Sequence, residues 1–91
     1  MSNMNNLQEI VGIEITKSVK KRYSQIMASY DFNELMKNNL GHPHPLKGDL
    51  QGYYAIGLTG NYRLLIENNN NKIKVRGVID YHGDKYNWII P

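Results

Sequence analysis

Ninety-one residues, 41% of them apolar and 21% charged, suit one soluble globular domain with a single modest core and are too few for two. The chain has no cysteine, which excludes a disulfide framework and a thiolate metal site, and no apolar run approaches the ~20 residues that cross a bilayer. The net charge of +3 leans weakly toward a polyanionic partner.

Residues 1–8 are polar and Asn-rich, without a cationic stretch followed by a hydrophobic one, so no secretory signal is expected and the cytoplasm is the default location. The run Ile10-Val11-Gly12-Ile13-Glu14-Ile15 is β-branched and partly alternating, and predicts a first strand. Thr16 is then expected to cap a helix reaching about Tyr30, whose apolar positions Val19, Tyr23, Ile26, Met27 and Tyr30 recur at spacings of three and four. Lys17, Lys20, Lys21 and Arg22 cluster on this helix and read most simply as its solvated face, with RNA phosphates as the functional alternative. Asp31 predicts the cap of a shorter helix from Phe32 to about Asn39, and Glu34 completes a capping box. Leu40-Gly41 should end it, because glycine takes the left-handed conformation cheaply.

Pro43 and Pro45 forbid helix in the next segment and bias His42 and His44 toward extended backbone. Residues 53–59 are expected to pair with 62–68 through a two-residue turn at Gly60-Asn61. A polar loop over 68–71 and a last long strand over 72–80 follow. Two helices before antiparallel strands make the expected class α+β, as a single domain without repeat or linker. The tail over 83–91 carries Tyr86, Trp88, Ile89 and Ile90, too apolar for a free end, so docking on the core is expected; stacking of Trp88 on RNA is the alternative.

Alternation along a strand assigns side chains to faces. Tyr62, Leu64 and Ile66 fall opposite Arg63, Leu65 and Glu67; Ile73, Val75, Gly77 and Ile79 fall opposite Lys74, Arg76, Val78, Asp80 and His82. One face must pack on the helices, so the other is expected to present Arg63, Arg76, Asp80 and His82 together. Taken alone, each arginine is better explained by a charged face that discourages edge pairing; convergence with His82 and the His44–Lys47 loop turns the reading toward a site.

All three histidines sit in two segments, His42-Pro43-His44-Pro45-Leu46-Lys47-Gly48-Asp49-Leu50 and Asp80-Tyr81-His82-Gly83. Histidine is the side chain whose ordinary titration lies nearest neutrality, so it can both give and take a proton there. The stretch Pro45-Leu46-Lys47-Gly48-Asp49-Leu50-Gln51-Gly52-Tyr53-Tyr54-Ala55-Ile56, then Gly60-Asn61-Tyr62-Arg63-Leu64, then Val78-Ile79-Asp80-Tyr81-His82-Gly83, resembles the HigB branch of RelE-like toxins. The likeness runs from about Pro45 to His82; the helical half matches only in order and length.

The resemblance implies a RelE-like fold, two N-terminal helices on a twisted, mainly antiparallel sheet of about four strands. It implies a toxin of a toxin-antitoxin pair, a ribosome-dependent endoribonuclease that cuts mRNA without metal or other cofactor. In that chemistry the RNA's 2′-hydroxyl attacks the adjacent phosphate and the next 5′-hydroxyl leaves, which needs a base, an acid and cations. Carried over by motif, His44 and Lys47 match the loop residues and Asp80, Tyr81 and His82 the C-terminal cluster. Arg63, with Lys47, would neutralise phosphate. Proton transfer falls to His82 with Asp80 or His44, base and acid left open, and Tyr81 would stack on a base or donate to the leaving group. His42 precedes the matching histidine and reads as a neighbour of the site. Lys17, Lys20, Lys21, Arg22, Lys74 and Arg76 are the candidate RNA-binding cations, Arg76 on strand parity alone. The implied partners are a helix-turn-helix antitoxin of the HigA kind, the ribosome with its mRNA, and operator DNA only through the antitoxin complex; no membrane is implied.

Other readings remain. The three histidines with two aspartates form a possible zinc set, although no third ligand lies near His42-Pro43-His44. The same fold serves gyrase-poisoning toxins of the ParE kind, and a non-catalytic basic module would bind RNA or protein.

Overall fold

The computed structural model describes residues 12–82 and 85–90. Helices α1 (Ile13–Ala28) and α2 (Phe32–Asn38) precede strands β1 (His44–Pro45), β2 (Tyr53–Gly57), β3 (Tyr62–Asn69), β4 (Lys72–His82) and β5 (Lys85–Ile90), with a 3-10 turn at Gly48–Leu50. The strands form one sheet in sequence order, every neighbouring pair antiparallel. The α+β class holds, with five strands rather than about four. Most of the expected apolar tail is the fifth strand, hydrogen-bonded along β4.

The strand expected at 10–15 is not what the described part forms: Ile13, Glu14 and Ile15 are the first turn of α1, while Ile10 and Val11 lie outside the described residues. Burial decides against β propensity. Ile15 and its neighbour Thr16 are both buried while Ile13 is exposed, which a helix face allows and one face of an alternating strand does not. Thr16 is therefore inside the first turn rather than capping it, its hydroxyl donating back to Gly12 O at 2.7 Å. The buried stripe is Ile15, Thr16, Val19 and Ile26, whereas Met27 and Tyr30 are 74% and 87% exposed. The helix stops at Ala28, with Ser29 extended and its hydroxyl on Gln25 O at 2.9 Å.

The second helix starts where its cap predicts. Asp31 Oδ1 accepts from Glu34 N at 2.9 Å. Glu34 Oε1 reaches back to Tyr30 N at 3.1 Å, one residue earlier than a capping box would have it. Asn39, at φ 53, ends the helix in the left-handed conformation expected of Gly41, which adopts it two residues later.

One sheet face carries the helices: Ile56, Leu64, Ile66 and Val78 pack with Ile15, Val19, Ile26, Phe32 and Leu35. Phe32 meets Tyr54 edge-on, ring centres 4.9 Å apart. Burying each such side chain contributes about 1.5–3 kcal/mol. The opposite face holds a smaller cluster, Ala55, Leu65 and Ile79 under Leu46 and Leu50, edged by Tyr53, Tyr81 and Tyr86.

Both hairpins differ in detail from expectation. Gly57 pairs with Arg63 and Leu58 N donates to Tyr62 O, so residues 59–61 form the connection, and of Gly60 and Asn61 only Gly60 uses positive φ. The loop expected at 68–71 is instead strand closed by a tight turn: Asn69 pairs with Lys72, and Asn70 and Asn71 have φ 53 and 67. Positive φ at both central residues matches the twist of a two-residue hairpin, and asparagine tolerates it.

A β-bulge in β4 has the largest consequence. Leu65 pairs with Gly77 and Ile66 with Val75, leaving Arg76 without a partner on β3. An extra residue inverts the alternation beyond it. Ile73, Val75, Val78 and Asp80 therefore belong to the helix-bearing face, and Gly77 and Ile79 to the other.

Candidate functional site

The histidine loop is held to the sheet edge by short, specific contacts. His44 pairs with Ala55 and Pro45 with Tyr54, and Leu46 N donates to Tyr53 O at 2.9 Å. Leu46 and Leu50 are buried, pinning both ends of the segment between them. Facing partners share a side of the sheet, so His44 stands with Ala55 on the face away from the helices. His42 is not extended as its proline neighbour suggests. It has φ 54, its N–H donates to Asn39 O at 3.3 Å, and its Nδ1 lies 3.2 Å from Asn39 Nδ2. Next to it, Gly41 O accepts from Gly57 N at 2.9 Å.

Two cavities flank the small cluster on this face. One, of about 220 Å³, is lined by Gly41, His42, His44, Gly57, Leu58, Gly60 and Arg63. Arg63 Nη1 donates to Gly60 O at 3.0 Å and Tyr62 O at 2.8 Å, which anchors one nitrogen on the turn. Among the described residues its other donors take no protein partner, so they are available to an anion. The second cavity, of about 290 Å³, is lined by Lys47, Gly48, Asp49, Tyr81 and Tyr86 beside Leu46 and Leu50. Tyr81 is fixed there by its N–H, which donates to Asn61 O at 2.9 Å. From β5, Tyr86 faces Tyr81 and Trp88 faces Ile79, so this strand adds two aromatic rings to the cavity-bearing face; Trp88 is 40% exposed.

Asp80 and His82 do not join this group. Asp80 pairs across with Tyr62 and so lies on the helix-bearing face, while Arg63, opposite Ile79, lies on the other. The expected gathering of Arg63, Arg76, Asp80 and His82 on one face is thus overturned by the bulge at Arg76. Asp80 and His82 form a pair of their own at the end of β4, Oδ1 to Nδ1 at 2.9 Å, and among the described residues no donor is aligned on that oxygen as a hydrogen bond. His82 is largely exposed and Asp80 mostly covered.

The remaining cations divide similarly. Lys17, Lys20 and Lys21 are exposed or nearly so on α1 and Lys74 is exposed on β4. Arg22 is not part of a solvated face: its Nε donates to Gly57 O at 2.9 Å and Nη1 to Gln25 Oε1 at 2.8 Å, tying α1 to the strand beside the histidine loop. Arg76 lies 3.6 Å from Glu67 and over the ring of Tyr53, 5.7 Å from its centre. Those contacts hold it to its own sheet face. Among the described residues no group of three His, Asp or Glu side chains is placed to hold a metal ion, so the zinc set does not assemble there.

No protein-family model matches the chain. No curated protein matches it either. What the site can do therefore follows from its own groups. A cavity offering two imidazoles and part of a guanidinium suits a phosphate ester: the cation neutralises oxygen charge and the imidazoles move protons. Two contributors escaped the sequence reading. Tyr86 enters through the register of β5 on β4, which the residue pattern does not disclose. Asn39 enters because it ends α2 left-handed, for which asparagine after a short capped helix is the available signal.

Proposed function

We propose that this protein is a RelE-type toxin of the HigB kind: an endoribonuclease that cuts ribosome-bound mRNA by metal-independent attack of the 2′-hydroxyl on the adjacent phosphate. The observation that carries the reading is the meeting of His44 and Arg63 in one cavity, on a sheet face bordered by Lys47, Tyr81, Tyr86 and Trp88. His44, Lys47, Arg63 and Tyr81 come from separate segments of the chain that bear the motifs of the resemblance, whereas Tyr86 and Trp88 lie beyond them. Arg63 binds a phosphate oxygen with its free donors, and His44 takes the proton of the attacking hydroxyl. Lys47 and Tyr81 hold the neighbouring phosphate and base. The Asp80–His82 pair, which the resemblance places in the catalytic set, stands at the same strand end as Tyr81 on the other side. The partners of this reading are a HigA-like helix-turn-helix antitoxin, the ribosome and mRNA, with operator DNA reached through the antitoxin.

Induction in growing cells with mapping of RNA ends tests the proposal. Translation should stop with mRNA cut at codons, and Arg63→Ala, Asp80→Ala and His82→Ala should each relieve growth inhibition while the protein stays folded. Chromosome breakage without mRNA cleavage would replace this reading with gyrase poisoning of the ParE kind. Neither effect would leave a non-catalytic RNA- or protein-binding module.

A further inference from the structure

The last strand lies beyond the motifs of the resemblance, yet it completes the second cavity on the sheet face away from the helices. Tyr86 pairs with Tyr81 across β4 and β5, and facing partners share a side of the sheet, so the two phenol rings stand as neighbours. Both line a cavity of about 290 Å³, close to the ~300 Å³ at which small-ligand pockets begin, with buried Leu46 and Leu50 in its wall. Each tyrosine is half-buried, packed in part on the apolar cluster and in part open. Covering that cluster would need apolar area alone, but Lys47 and Asp49, both exposed, line the same cavity. Among the described residues neither enters an ion pair, so each charge is left for a ligand.

Aromatic faces flanked by charge suit a nucleobase, because every base has a face that stacks. Arg63 sets where that base lies. It pairs with Ile79, and Tyr81 stands two residues further along β4, a diagonal spacing of roughly 7–8 Å. A phosphate held by Arg63 therefore leaves a flanking base within reach of the tyrosines. Asp49 sets which base, since an ionised carboxylate accepts and never donates. Adenine and guanine each offer an exocyclic amino group to it, on a two-ring face that covers both phenols. Uracil has no amino group, and cytosine has a single ring.

We infer that this cavity is a purine site: the base flanking the scissile phosphate stacks on Tyr81 and Tyr86, and its amino group donates to Asp49. This rests on reading the face as an RNA-cleaving site and leaves the proton transfers with the residues named above. Tyr86 and Asp49 are then substrate-binding residues that decide which codons are cut.

Ribosomes programmed with a mixed-codon mRNA are treated with wild type, Tyr86→Phe, Tyr86→Leu and Asp49→Ala, and the RNA ends are mapped. Wild type should show a purine at one position beside the cut. Tyr86→Phe keeps the ring and should match it. Tyr86→Leu keeps the cluster covered without an aromatic face and should cut about tenfold more slowly or worse, the scale of a lost base stack. A second mRNA carries at that position the same purine without its amino group, inosine for guanosine or purine riboside for adenosine. Wild type should cut it about tenfold more slowly, the scale of a hydrogen bond to a charged group, whereas Asp49→Ala should cut both mRNAs alike. Asp49 is exposed, so this comparison stands even where Tyr86→Leu loses stability. No purine preference, a folded Tyr86→Leu as fast as Tyr86→Phe, or an amino-group penalty that Asp49→Ala shares would overturn the purine site and leave RNA cleavage standing. A wild-type protein that cuts no mRNA would overturn both.

Discussion

Gly41 is where the candidate site and the fold are most closely joined, and replacing it with alanine separates two kinds of cost. Its backbone lies at φ 68, and a Cβ there would run into Cγ2 of Ile56 and press on the Arg22 guanidinium at 3.1–3.2 Å. Gly48 has nearly the same backbone, φ 65, but open space around the added atom. Left-handed backbone costs an L-residue about 1–2 kcal/mol, and alanine recovers about 0.4–1 kcal/mol by restricting the unfolded chain. Gly48→Ala should therefore lose about 0–1.5 kcal/mol by these two terms. Gly41→Ala carries the same terms plus about 1–3 kcal/mol for forcing an atom against a core side chain. Ile56 is 1% exposed in the core and Arg22 is bonded to Gly57 O, so neither yields freely. Urea titrations of both variants, followed by circular dichroism, should place the Gly41→Ala midpoint below that of Gly48→Ala by roughly 1 M at an ordinary slope. Midpoints within about 0.2 M of each other would refute the reasoning, since the clash would then cost almost nothing. Because Gly41 lines the cavity that His44 and Arg63 share, Gly41→Ala should also cut RNA more slowly than Gly48→Ala under conditions where both are folded.

Asp31→Ala removes the cap on Glu34 N and the acceptor for Asn71 Nδ2, and should cost about 1–2 kcal/mol in the same titration. Asn71→Gly improves the turn's backbone preference but deletes the side chain that accepts from Asn33 N and donates to Asp31, so it should destabilise; a gain in melting temperature would show those contacts to be idle. Leu35→Ala, at a position with no exposure in the main core, should lose about 2–5 kcal/mol. Sedimentation with ribosomes at two salt concentrations should show Lys17, Lys20 and Lys21 lowering the salt slope when replaced by Gln, each by about one phosphate contact; an unchanged slope would exclude them from the interface.

Local interactions were the ones legible in the residues. Asp31 with Glu34 marked α2 because a cap needs only a side chain and a backbone N–H three residues on. The strands over Tyr53–Gly57 and Tyr62–Asn69 were legible from alternation bounded by turn residues. The misreadings arose where distant contacts compete with local preference. Ile13 and Ile15 are β-branched, yet the buried stripe of α1 makes them helical. His42 precedes a proline, yet Asn39 and His44 hold it left-handed. The tail was expected to dock, and pairing with β4 is how it does so.

From the sequence alone came the α+β class, the second helix with its cap, the hairpin strands and the residues able to handle protons and phosphate. Only the tertiary structure decided which of them meet. Leu65 opposite Gly77 and Ile66 opposite Val75 leave Arg76 over, and that one residue moves Asp80 to the helix-bearing face while Arg63 remains on the other. A strand's alternation is local, but the place where it slips depends on the strand beside it. Residue spacing therefore grouped Arg63 with Asp80 and His82, and strand pairing grouped it with His42 and His44 instead.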